Sequence, residues 1–194
     1  VIDGEESVRV HLAIAGKHMV NNALLAAGAG WALGMTPDEL ACGMEAVELP
    51  RGRLRCFDHA GITVFDDTYN ANPDSMRAAI GVVAERAARN GNTRTVVLGM
   101  MSELGRFSEE MHHQVGAHAA QRNLQVVSVG VEAAGIAEGA RDAGAAKVEH
   151  FDQHEDAVGW LRETLQAGDV VLFKGSRKAA MEQVMNQVFP ENEN

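Results

Sequence analysis

The stretch FDDTYNANPDSM, residues 65–76, sets two carboxylates, Asp66 and Asp67, beside the only tyrosine of the chain, Tyr69, and two asparagines, Asn70 and Asn72. Side chains alternate along a strand, so one carboxylate can serve the fold while the other meets a ligand. A pair of ribose hydroxyls is a suitable guest for it. Asn72 suits a helix N-cap, Pro73 the first helical position and Asp74 the positive end of the helix dipole. Capping leaves Tyr69 and Asn70 unexplained. A second group lies in FKGSRKAAM, residues 173–181. Here Gly175 turns the chain, Ser176 reads as an N-cap, and Lys174 and Arg177 frame a helix N-terminus that could take a carboxylate or phosphate. Two solvated cations beside a cap are the plainer alternative.

Three further loops could carry chemistry. In AGKHMVNNA, residues 15–23, His18 and Asn22 stand four apart and share a helix face. An asparagine amide offers both a donor and an acceptor, as an adenine edge requires; packing and capping would explain the same residues. In PRGRL, Arg51 and Arg53 flank Gly52, either to grip phosphate oxygens or as solvated linker residues. In LGMMSELG, Gly99 and Gly105 bracket Glu103, in a ligand loop or a plain connection. No metal site is expected, because His112 and His113 are adjacent and His118 does not stand three or four residues from either. No G-x-x-x-x-G-K-[ST] phosphate loop occurs anywhere in the chain.

These loops need elements to hold them. VRVHLAI (8–14) alternates as a strand. A packed helix follows, with Met19, Leu24, Leu25, Trp31 and Leu33 as its apolar residues, ending at Gly34. A second helix starts at Thr36-Pro37 with Glu39 completing a capping box. A boundary is expected at LPRGR (49–53). Beyond it LRCFDHAG and ITVFDD read as a hairpin, followed by a helix from Pro73 to about Arg89. Strands at TRTVVLGM, LQVVSVG, AKVEHF and DVVLFKG then alternate with helices, one of them capped by Ser108 and the last one RKAAMEQVMNQV. Such alternation of apolar strands and helices predicts an α/β fold: a mostly parallel sheet with helices on both faces, whose ligands gather at the carboxyl ends of the strands.

Composition narrows the function classes. A net charge of −10 argues against nucleic acid and anionic membranes as partners. No apolar run approaches the roughly 20 residues of a membrane span. Cys42 and Cys56 read as buried, reduced thiols. The opening lacks an initiator methionine and reaches a strand at once, which suggests a piece of something longer.

The motifs GKHMVNNALLAA, RGRL, DDTYNANPDSMRAAI, LGMMSELG and KGSRKAAME, in this order, resemble the Mur ligases, and the D-D-x-Y-N-A-N-P-x-S-M pattern resembles the members that join D-alanyl-D-alanine to UDP-MurNAc-tripeptide. The resemblance covers essentially the whole chain. It implies that residues 1–48 are the end of the central, ATP-binding domain and that residues 49–194 are the Rossmann-like third domain. It implies an ATP-dependent amide ligase of the bacterial cytoplasm, acting as a monomer in peptidoglycan precursor synthesis, with Mg2+ held mostly by parts outside this chain; the chain alone is expected to be inactive. By resemblance, ATP would be bound by His18, Asn22, Arg53, Asp67, Tyr69, Asn70 and Asn72. Arg53 and Asp67 would act on the phosphates and ribose as the catalytic pair, and Lys174, Ser176 and Arg177 would face the amino substrate. A non-catalytic nucleotide- or partner-binding module, and a sister ligase adding another amino acid, are the alternatives.

Overall fold

The computed structural model describes residues 7–12, 17–47, 51–86 and 92–190, Lys17 and His18 by their backbone alone. It divides into two compact units, Val1–Pro50 and Arg51–Asn194.

The first unit holds two helices, α1 (Lys17–Ala32) and α2 (Pro37–Glu45). The capping box is present: Thr36 accepts from the Glu39 N–H, and Glu39 returns the bond to the Thr36 backbone at 2.8 Å. Gly34, at φ +87°, ends α1, with bonds from the Gly34 N–H to the Trp31 carbonyl and from the Met35 N–H to the Gly30 carbonyl. The helices meet where a Cβ on Gly30 would lie 2.4 Å from Leu40. α2 is short and covers only that patch, so Leu24, Leu25 and Leu33, expected to pack, are 63%, 74% and 86% exposed. The strand expected at 8–14 is not found either. Residues 7–12 are irregular, 13 and 14 lie outside the described residues, and no strand among the described residues of this unit is available to pair with it.

The second unit is a six-stranded sheet in the order β1-β2-β6-β3-β4-β5. Its strands are β1 (Arg55–His59), β2 (Ile62–Asp67), β3 (Arg94–Leu98), β4 (Gln125–Val129), β5 (Val148–Phe151) and β6 (Val170–Lys174). β1 pairs antiparallel with β2 through a two-residue turn, Ala60 and Gly61, both at positive φ, the geometry a tight hairpin needs. All other pairings are parallel. The β-branched runs VVL, VVSV and VVLF are buried on both faces, as a covered parallel sheet requires. Val96, Leu98, Val126 and Leu172 pack against α3 (Pro73–Glu85), α4 (Ser108–Ala120) and α5 (Ala134–Asp142). The alternate residues Val97, Val127, Val171 and Phe173 pack against α6 (His154–Thr164) and α7 (Met181–Val188). α4 and α5 touch backbone to backbone: a Cβ on Gly116 would sit 1.8 Å from the Ile136 carbonyl oxygen, and one on Gly139 1.9 Å from that of His113.

Four expectations need correction. α3 ends at Glu85, because Arg86 turns to ψ 121°. Ser108 is not the cap of α4. A 3-10 turn, Gly105–Phe107, runs straight into the helix, and the capping position is Phe107, without a side-chain bond. The last helix begins at Met181 rather than beside Ser176, after a 3-10 turn at Arg177–Ala179 and a left-handed Ala180. Cys42 and Cys56 are exposed; Cys56 lies on the outward side of edge strand β1, whose burial alternates residue by residue.

Candidate active site

β3 and β6 are neighbours, yet α4, which follows β3, and α7, which follows β6, cover opposite faces of the sheet. The loops leaving two such strands diverge and open a crevice at their carboxyl ends. A groove of about 870 Å³ lies there, walled by residues 69–72, 102–104 and 176–178.

Backbone bonds hold its apex together. The Gly99 N–H donates to the Lys174 carbonyl at 2.8 Å and the Ser176 N–H to the Met100 carbonyl at 2.9 Å; the Ser102 and Ser176 hydroxyls meet at 2.9 Å. Only glycine fits at this crossing. A Cβ on Gly99 would lie 2.7 Å from Ala179 and 2.8 Å from Met181, and one on Gly175 2.6 Å from Met181.

The loop after β2 is organised by its two carboxylates, which do face apart. Asp66, 3% exposed, accepts from the Gly52 N–H at 2.9 Å and from the Thr68 hydroxyl at 2.7 Å. The Tyr69 N–H in turn donates to the Gly52 carbonyl at 2.9 Å, so the 51–54 segment is laced onto the loop. Asp67 accepts from the Leu54 N–H at 3.0 Å and from the Lys174 ammonium at 2.6 Å. Lys174 also donates to the Asn70 carbonyl at 2.9 Å. Asn72 caps α3 through the Ser75 N–H at 2.8 Å, and the Asn70 side chain accepts from the Ala71 N–H at 2.8 Å.

Tyr69 stands 46% exposed at the mouth, with the Arg53 guanidinium 4.5 Å and the Arg177 guanidinium 5.8 Å from its ring centre. Each contact is worth roughly 0.5–1 kcal/mol at an exposed position. Together they gather two permanent cations around one aromatic ring, a surface suited to phosphate or carboxylate oxygens.

Arg53, Asp67, Tyr69, Asn70, Asn72, Lys174, Ser176 and Arg177 thus converge on the carboxyl ends of β2 and β6. Lys174 has a different part from the one expected. It is 2% exposed, and its charge is paired with Asp67 and the Asn70 carbonyl, so it shapes the loop. Ser176 makes no helix-capping bond and is 1% exposed; its hydroxyl joins two loops. His18 and Asn22 belong to the first unit; Asn22 is exposed, its amide 3.8 Å from the Met19 sulfur. Asp66 takes the structural role expected of one of the two carboxylates; the organising residue that sequence reasoning missed is His112. His112 is buried, with Nδ1–H donating to the Ser108 carbonyl at 2.7 Å and Nε2 accepting from the Met101 N–H at 2.8 Å. Its four-residue spacing from Ser108 was the only local signal; the tie to Met101 is a tertiary contact. Among the described residues no group of three or more His, Cys, Asp or Glu side chains is placed to hold a metal ion, and no helix is long and apolar enough to cross a membrane.

The family model described as "Mur ligase, glutamate ligase domain" matches residues 52–177. The chain belongs to the Mur ligases. It is 33% identical over 178 residues to the UDP-N-acetylmuramoyl-tripeptide--D-alanyl-D-alanine ligase of Bacillus subtilis, a match spanning 90% of this chain and 38% of that enzyme. It superposes on a crystal structure of MurF from Acinetobacter baumannii with a TM-score of 0.84, at 34% identity, over 95% of this chain and 40% of that one. A MurF ligase from Thermotoga maritima, solved in complex with ADP, gives a TM-score of 0.78 at 26% identity, over 92% of this chain and 40% of that one. The chain therefore spans about two fifths of the length of the Mur ligases that it matches.

Proposed function

We propose that this chain is the carboxyl-terminal part of an ATP-dependent Mur ligase that joins D-alanyl-D-alanine to UDP-N-acetylmuramoyl-tripeptide. Residues 1–48 would close a central ATP-binding domain and 49–194 form the third domain, in a monomeric enzyme of peptidoglycan precursor synthesis in the bacterial cytoplasm. The observation that carries this reading is the meeting of the RGRL, DDTYNANP and KGSR motifs around Tyr69 and the Asp67–Lys174 pair, in a chain similar to MurF enzymes along nearly its whole length.

In the reaction the tripeptide carboxylate attacks the γ-phosphorus of ATP and ADP leaves. The dipeptide nitrogen then attacks the acyl phosphate carbon, its proton passes to solvent, and phosphate departs with the C–O bond electrons. Arg53 would hold phosphate oxygens as charge builds on them. Asp67, oriented by Lys174 and the Leu54 N–H, would accept from ribose hydroxyls. Tyr69, Asn70 and Asn72 would line the nucleotide, His18 and Asn22 would face adenine, and Arg177, beside Ser176, would receive the dipeptide carboxylate. The magnesium implied by the resemblance finds no ligand set among the described residues, so the roles given are those of side chains alone.

The test is an assay of the full-length enzyme that carries this chain. ADP and a pentapeptide product are expected only when ATP, the tripeptide precursor and D-alanyl-D-alanine are all present. No pentapeptide with either the meso-diaminopimelate or the lysine tripeptide would overturn the reading. Arg53→Ala should lower kcat/KM by a hundredfold or so, as expected for the loss of a preorganised charge on phosphate.

A further inference from the structure

The loop after β3 brings one carboxylate to the crevice, Glu103. Its backbone lies in the left-handed region, φ +65°, where a non-glycine residue is disfavoured. Gly105, two residues on, takes a similar angle of +53° without that penalty. The two residues that precede it are held in place. The Met101 N–H is anchored on His112, and the Ser102 hydroxyl is anchored on Ser176 at 2.9 Å. Glu103 gives the fold nothing in return. It is exposed, and its carboxylate has no hydrogen-bond or ion-pair partner among the described residues. A strained residue that stabilises nothing around it, on a loop clamped by its neighbours, points to a ligand.

The groove states what kind of ligand. Glu103 lines the same groove as the 176–178 loop, which carries Arg177 and Lys178. Lys178 already has a carboxylate partner, Glu132, at 3.5 Å, whereas Arg177 leans over Tyr69. One groove therefore offers both an anion and a guanidinium, the complement of a zwitterion with a charge at each end. We propose that Glu103 holds the ammonium end of the incoming D-alanyl-D-alanine while Arg177 holds its carboxylate. This rests on the ligase reading above and adds a group to it: both ends of the dipeptide are fixed, and once the ammonium has given one proton to solvent the free amine is left positioned to attack the acyl carbon.

The experiment uses the full-length enzyme, varying one substrate at a time. Glu103→Gln should raise the KM for D-alanyl-D-alanine about tenfold or more, the scale of one lost charge-assisted contact, and leave the KM values for ATP and the tripeptide within twofold. Glu103→Asp should recover part of the loss. Glu103→Gly removes the carboxylate while relaxing the backbone, and should show the same defect in an enzyme that melts no lower than the parent. A second comparison separates the two ends. Glu103→Gln should still prefer D-alanyl-D-alanine over its C-terminal amide, and Arg177→Met should lose that preference. An unchanged dipeptide KM in Glu103→Gln and Glu103→Gly, or an equal rise for all three substrates, overturns the assignment while the ligase reading stands. Failure of the parent enzyme to use the dipeptide takes down both.

Discussion

The two loops that leave β2 and β6 start from paired residues, Asp67 opposite Lys174, and both lead to a helix, but they get there by different means. The loop 68–72 is built from side chains that bond locally: Asp66 to Thr68, Asn70 to Ala71, Asn72 to Ser75, with Pro73 opening the helix. The loop 175–180 has no side-chain cap. It relies on two glycine-only crossings, backbone bonds to the β3 loop and a left-handed alanine. One loop is specified by its own sequence, the other by what it is pressed against. The Lys174–Asp67 ion pair ties them together.

That contrast can be broken at five positions. Lys174→Ala should have the largest effect, about 3–5 kcal/mol of stability in urea denaturation, because it leaves Asp67 and the Asn70 carbonyl without their buried partner. A loss below about 1 kcal/mol would mean the pair is not the joint between the loops. Asp67→Ala strands the buried ammonium and should destabilise on the same scale, so any change it brings to nucleotide kinetics has to be read beside a melting curve. Gly99→Ala forces a methyl against Ala179 and Met181 and should cost about 1–3 kcal/mol, with the damage in the 175–180 loop. Asn72→Ala removes a cap and should cost about 1 kcal/mol, confined to the start of α3. Ala180→Gly should stabilise, by up to about 1 kcal/mol, since glycine adopts the left-handed angle freely. A loss at that position would show that the alanine methyl contributes packing that outweighs the backbone strain.

The same contrast explains what could be read from sequence. The α/β alternation, the hairpin, the start of α3 and the opposite facing of Asp66 and Asp67 all follow from local signals: period-two burial, an N-cap followed by proline, β-branched runs. The sheet order does not, because pairing β6 between β2 and β3 brings together residues about 75 to 107 apart in the chain, as in the Thr93–Asp169 and Asp67–Lys174 bonds. The true start of α7 was hidden since alanine carries no signature of a left-handed cap, and Ser176 looked like one. Lys174 was legible as a charge at the site but not as a buried one; its partner is set by register, not spacing. The organising role of His112 is not legible, because its bond to Met101 exists only once the β3 loop folds back onto α4.

The bonds from the Gly99 and Ser176 amides extend the β3–β6 ladder past the ends of both strands. Those two protons are therefore gauges of the crevice itself. While the walls stay zipped, they are shielded from solvent deuterium, and each opening of the cleft exposes them together. Their exchange rates, followed residue by residue, would clock how often the cleft breathes, separately from unfolding of the sheet beneath it.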